Sequence, residues 1–213
     1  MEKDSPFIAR IRECETKLFR DLLDPDDTSR MRNEGEYAWL YAPSHHAETG
    51  LITEADLTTL RTGKLLSVGA YPAALERVLI HLGVPASHIT VADMLRDILN
   101  VEGGMQKLAF DMTGVWPETP MFDLILFPES LCIALTDKLS RSVSRPERDR
   151  AEAEMLGRIV KQALARLKPT GEIRANGPMS HPNVMKMMSA RLHEEGSPHT
   201  VNYARYFMTI RKS

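Results

Sequence analysis

Lys64-Leu65-Leu66-Ser67-Val68-Gly69-Ala70-Tyr71-Pro72-Ala73-Ala74 is the stretch that decides how the chain is read. Leu65 to Val68 is a short apolar run of the kind a strand buried on both faces requires. Gly69 ends the run with a residue that lets the backbone turn sharply and a ligand come close. Pro72 suits the first turn of a helix, and Leu75, Val78, Leu79 and Leu82 continue at helical spacing. Strand, glycine turn and helix form the opening unit of an open α/β sheet. The N–H groups at that helix start favour a carboxylate or phosphate above the strand.

Working outward, Ile89-Thr90-Val91-Ala92-Asp93 reads as a second strand ending in an acid that could accept hydrogen bonds from both hydroxyls of a ribose. Phe110-Asp111 ends a third strand in the same way. Phe122-Asp123-Leu124-Ile125-Leu126-Phe127-Pro128-Glu129 carries a fourth. The order of a glycine loop, two strand-end acids and an "FDLI" strand resembles the class I S-adenosylmethionine-dependent methyltransferases. Arg166-Leu167-Lys168-Pro169-Thr170-Gly171-Glu172-Ile173 is similar to the family's entry into strand five. The resemblance covers roughly residues 60–213 and lies in the order and spacing of motifs.

The chain has 213 residues, enough for one domain with a substantial core. Its 43% hydrophobic and 26% charged composition suits a soluble protein, and it has no apolar run long enough to span a bilayer. Met1 to Pro6 is polar and charged, unlike a signal segment. Cys14 and Cys132 lack metal-ligand spacing and suit a reducing compartment, so a cytoplasmic protein without a metal site is expected. A net charge of −2 does not suggest a general nucleic-acid binder. Residues 138–213 carry 15 basic against 7 acidic side chains, a polarity that could steer an anionic partner or simply be a solvated surface.

Taken in order, residues 6–24 form an amphipathic helix with Phe7, Ile11, Cys14, Leu18 and Leu22 on one face. Tyr37, Trp39 and Tyr41 are core aromatics or a wall for an aromatic or cationic substrate. Pro43-Ser44-His45-His46 reads as a polar turn, and Thr53-Glu54-Ala55-Asp56 as a capped helix start. Strands are expected near 64–68, 89–92, 107–110, 122–127 and 171–175, with closing strands in 199–212. Helices are expected near 72–83, 94–100, 129–139, 147–167 and 182–195, and a surface connection or frayed helix start over 140–150. The fold class is α/β, a three-layer sandwich with a mostly parallel, seven-stranded Rossmann-like sheet. Residues 1–60 form an N-terminal helical cap or lid, or a helical layer on the sheet, and residues 61–213 the Rossmann-like domain.

The resemblance implies S-adenosylmethionine as cofactor, held by Ser67, Gly69, Ala70, Tyr71, Asp93, Met94, Asp111, Met112 and Phe127. Asp93 could equally cap a helix, and Asp111 a turn through Thr113-Gly114. Glu129 falls where family members line the methyl-acceptor pocket, as a base or orienting group, or as a favourable acid in a first helical turn. His45 and His46 are general-base candidates or solvated side chains; His181 lies just after strand five. The family usually has an acid in place of Ser67 and glycines in place of Tyr71 and Ala73. Methyl transfer to a small-molecule acceptor is one reading. A non-catalytic scaffold, a subunit of a larger assembly, or a transferase using another group of the same cofactor are the others; a homo-oligomer is compatible with each.

Overall fold

At the centre lies β1 (Leu65–Val68), with all four residues buried. It pairs in parallel with β2 (Ile89–Asp93) on one side and β4 (Phe122–Phe127) on the other, Leu65 standing opposite both Ile89 and Leu124. Outward, β3 (Gln106–Ala109) pairs in parallel with β2, and β5 (Leu167–Asn176) with β4. β7 (Phe207–Lys212) then runs antiparallel between β5 and β6 (His199–Ala204). The order is β3-β2-β1-β4-β5-β7-β6 in a single seven-stranded sheet. This computed structural model describes residues 5–18, 42–70, 72–131, 134–135, 144–177, 182–197, 199–204 and 207–212. Cys132, Tyr37, Trp39, Tyr41, Tyr71 and His181 lie outside the described residues.

Alternation along β1 feeds two buried clusters, because successive side chains of a strand point to opposite faces. Leu66 and Val68 join Phe122, Ile125 and Phe127 with α5 (Arg145–Ala165) and α6 (Pro182–Glu194) through Leu156, Ile159, Val160, Val184 and Met188. Leu65 joins Ile89, Val91, Leu124 and Leu126 with Phe7, Ile8 and Ile11 of α1 (Pro6–Leu18). Leu57 and Leu60 of α3 (Glu54–Leu60) and Leu75, Val78 and Leu79 of α4 (Ala74–His81) complete that second cluster.

Two local expectations change, and a third, over 140–150, is decided between its alternatives. Pro43–Glu48 is a short helix, α2, and not a polar turn: Pro43 stands at its start, where the missing N–H costs nothing. Residues 145–150 belong to α5, whose start is fixed by a reciprocal capping box between Ser144 and Glu147. Residues 94–100 give only the 3-10 turn Arg96–Asn100. Leu95 and Leu99 are exposed there, and Gly103 and Gly104 follow at positive φ, so no apolar face extends the turn into an α-helix. Among the described residues no helix is long and apolar enough to cross a membrane.

Candidate functional site

Three neighbouring strands end in residues singled out from the sequence: Gly69 after β1, Asp93 on β2 and Asp111 after β3. Gly69 adopts φ +73, a backbone that suits glycine. A side chain there would overlap the Ser130 Cβ, 2.1 Å from the ideal Cβ position, and crowd the Met112 methyl at 3.3 Å. The close approach that demands glycine is thus made by Ser130, whose hydroxyl donates to the Val68 carbonyl at 2.7 Å and ties the exit of β4 to that of β1. The Gly69 and Ala70 N–H groups both donate to the Ala92 carbonyl, at 2.7 and 3.1 Å. Ala73 holds φ +63, the left-handed backbone that glycine in its place would take without strain.

Asp93 is nearly enclosed, and its Oδ1 accepts the Leu95 N–H at 2.9 Å. Met94 beside it is 62% exposed, an apolar surface next to an acid. Asp111 Oδ1 accepts both the Thr113 N–H (2.9 Å) and hydroxyl (2.7 Å), so the turn-capping use is realised at one oxygen. The Met112 carbonyl accepts from Trp116 Nε1 at 2.8 Å, which anchors the backbone while the side chain reaches over Gly69.

Two residues of the cofactor set are placed differently from the expectation. Phe127 has no exposed surface and packs against Trp116, ring centroids 6.1 Å apart, so its role is core packing beneath the strand ends. Ser67 is also fully buried. It faces Glu76 of α4, a residue the sequence reading passed over. Ser67 Oγ and Glu76 Oε1 have no hydrogen-bond partner among the described residues, and burial pushes the Glu76 carboxyl up to about 7 although the nearby Ser67 hydroxyl pulls the other way. The apolar spacing around Leu75, Val78 and Leu79 was the available signal for Glu76, which sits on the edge of that buried face.

A second group forms at the ends of β4 and β5. Glu129 is buried and holds φ +54, a left-handed backbone costing a non-glycine residue about 1 kcal/mol or more. It precedes the helical residues Ser130 and Leu131 and is not in a first helical turn. Oε1 lies 3.3 Å from His45 Nε2, and the Glu129 N–H donates to Asn176 Oδ1 at 3.1 Å. His45, about a quarter exposed at its side chain, is therefore brought onto Glu129 by α2. His46 is corrected as a base: it is buried, burial and then the neighbouring His45 push its pKa down to about 3, and Nδ1 contacts Asn176 Nδ2 at 3.0 Å. Among the described residues no group of three or more His, Cys, Asp or Glu is arranged to hold a metal.

A sheet in this order, with β7 alone reversed against the other strands, is the fold of the class I methyltransferases, and the chain has that fold. Among solved structures it resembles S-adenosylmethionine-bound CalS10, an amino pentose methyltransferase from Micromonospora echinaspora involved in calicheamicin biosynthesis. That likeness has a TM-score of 0.56 and 11% identity over 88% of this chain and 97% of the other. Streptomyces venezuelae DesVI gives 0.55 and 11% over 90% and 99%. TrmN from Thermus thermophilus gives 0.52 and 13% over 80% of this chain but 49% of that one, so the chain spans about half its length. No family model matches the sequence, and no curated protein matches it. At such identities the likeness is one of fold.

Proposed function

We propose that the protein binds S-adenosylmethionine and transfers its methyl group to a small-molecule acceptor. The observation that carries this reading is the His45–Glu129 pair at the end of β4, beside the end of β1. Sheet connections diverge between these two strands, and open α/β sheets bind ligands at that switch point. The residues present fit a nucleoside on the β1–β3 side: a strand-end acid at Asp93, exposed apolar surface at Met94, and Asp111 on the next strand. The nearest atoms to the Gly69 position are the Ser130 side chain and the flexible Met112 methyl.

The cofactor, when bound, supplies an electrophilic methyl group, and the chain supplies position. Asp93 would accept from the ribose, Met94 and Met112 would cover the base, and Asp111 would border it. On the acceptor side, Glu129 orients the His45 ring, and His45 takes the proton that a hydroxyl or ammonium acceptor must lose. The helices α1, α2 and α3 act as a cap over that side, on a three-layer sandwich. The net charge of −2 favours a small molecule over a nucleic acid, and the two separated cysteines suit a cytoplasmic setting.

A thermal-shift titration with S-adenosylmethionine and S-adenosylhomocysteine tests the reading: both should raise the melting temperature. The scaffold reading draws on one specific observation, the filling of the Gly69 position by Ser130 and Met112. No shift with either ligand at millimolar concentration would favour it. A shift without methyl transfer to any acceptor would favour use of another group of the cofactor.

A further inference from the structure

We propose that Asn176 positions the His45–Glu129 pair, a role that rests on the acceptor-side reading of those two residues. Asn176 is the last residue of β5 and has no exposed surface. Its amide makes contacts to three residues of the site. Oδ1 accepts the Glu129 N–H at 3.1 Å, while Nδ2 reaches His46 Nδ1 and Thr49 Oγ1, each at 3.0 Å.

The direction of each bond follows from its neighbours. Thr49 Oγ1 donates its hydrogen to the His46 carbonyl at 3.1 Å, so toward Asn176 it accepts. That makes the facing Asn176 atom the amide nitrogen and leaves the oxygen for the Glu129 N–H. The second amide hydrogen then points at His46 Nδ1, so the His46 proton sits on Nε2 and the ring is neutral. Burial of His46 favours the same form. One side chain thereby uses both its donors on α2 and the residue after it, and its acceptor on the backbone that presents Glu129.

Consequences reach both members of the pair. No flexible link separates His45 from His46: the two are consecutive in α2, so fixing the His46 ring fixes the face on which His45 emerges. Glu129 keeps its left-handed backbone because its N–H is held and its side chain has room. The room comes from Gly177, at φ +106, where an added Cβ would stand 2.3 Å from Glu129 Oε2. Asn176 and Gly177 together form the seat of Glu129, and Asn176 joins that seat to the helix carrying His45.

Ring 15N–1H spectra of the whole chain test the assignment with three forms: wild type, Asn176→Asp and Thr49→Val. Asn176→Asp keeps an oxygen for the Glu129 N–H and removes both donors. In the wild type, the His45 Nε2 proton should exchange with water at least tenfold more slowly than those of the exposed His81 and His193, and His46 should show the Nε2–H form. Asn176→Asp should abolish the protection of the His45 proton and change the His46 form. Thr49→Val, which leaves the amide–His46 bond in place, should keep both signals. Affinity for S-adenosylhomocysteine should change less than twofold in either variant, because the nucleoside end lies on β1–β3.

The proposal is overturned if folded Asn176→Asp keeps the wild-type His45 signal, if the wild type shows no protected proton, or if Thr49→Val loses the signal to the same extent. Asn176→Ser serves as second variant, and loss of the far-ultraviolet circular dichroism of both Asn176 variants would overturn it in favour of a purely structural role. Absence of S-adenosylhomocysteine binding by the wild type would overturn the cofactor reading alone, since the imidazole signals decide the role of Asn176 separately.

Discussion

His45 Nε2 and Glu129 Oε1 lie 3.3 Å apart, although 84 positions separate them along the chain. When Glu129 carries its charge, the imidazole Nε2–H donates to it and Nδ1 becomes the basic nitrogen. Glu129→Gln should lower the rate of methyl transfer about 10²-fold, the order expected for loss of assisted proton removal, while leaving S-adenosylhomocysteine binding intact. Steady-state rates beside a calorimetric titration check this.

The backbone of Glu129 makes a separate prediction. At φ +54 glycine escapes the steric cost that any other residue bears. Glu129→Gly should therefore be more stable than Glu129→Ala by about 1 kcal/mol in urea unfolding. Equal stabilities would mean that the left-handed turn relaxes once the carboxylate is gone.

Gly69 should be intolerant for a reason unrelated to any ligand. Gly69→Ala places a Cβ against Ser130 and should destabilise by about 1–3 kcal/mol or more. Adding Ser130→Gly should recover part of the loss, as a double-mutant cycle in urea would read out. No recovery would show that strain at φ +73, and not the Ser130 contact, dominates.

Glu76 and His46 set opposing pH dependences. The Glu76 carboxyl is raised from 4.5 to about 7 in the fold, so the folded state holds a proton that the unfolded chain has lost, and stability falls as pH rises from 4.5 to 7. His46 is lowered from 6.5 to about 3, so stability falls as pH drops below 6.5. Between 4.5 and 6.5 the two slopes cancel, each about 1.4 kcal/mol per pH unit at full effect. Glu76→Gln should unmask the His46 slope in that window. Relative to wild type it should gain stability above pH 7, by up to about 3 kcal/mol, and the gain should vanish below pH 4.5. Urea titrations at pH 4, 5.5 and 8 measure it.

Arg174 fixes the segment that carries His45. Its guanidinium contacts Asp56 at 2.6 and 3.1 Å and Glu172 at 2.7 Å, with the side chains of Arg174 and Asp56 only 13% and 10% exposed. Asp56 also closes the cap of α3 through Thr53. Arg174→Met should leave the Asp56 carboxylate buried without a cation, while Glu172 keeps Arg211 at 2.9 Å, and cost about 3–5 kcal/mol. Hydrogen exchange over residues 42–60 should rise more than over β1 and β4; a uniform rise would contradict a local tether.

Much of the sheet was legible because buried parallel strands are written as apolar runs. Phe122–Phe127 falls where its sequence places it, and α6 follows the spacing of Val184, Met188 and Leu192. The N-terminal contribution was less so. His45 and His46 sit in a six-residue helix too short to show a period, and their fates diverge because docking against β5 buries one ring and presents the other. Ser144 and Glu147 did carry a capping signature, but the Ser- and Arg-rich stretch around it left a surface connection and a frayed helix start both open. Asn176-Gly177 reads locally as a strand-end turn, and nothing local reveals that its amide meets residues 47 and 130 positions away.

The most direct measurement is a calorimetric titration of S-adenosylhomocysteine into the wild type and Asp93→Ala. The account predicts saturable, one-to-one binding by the wild type, weakened at least tenfold in the variant while its fold persists. No heat of binding by the wild type at millimolar ligand would contradict it, as would equal affinity of the two proteins.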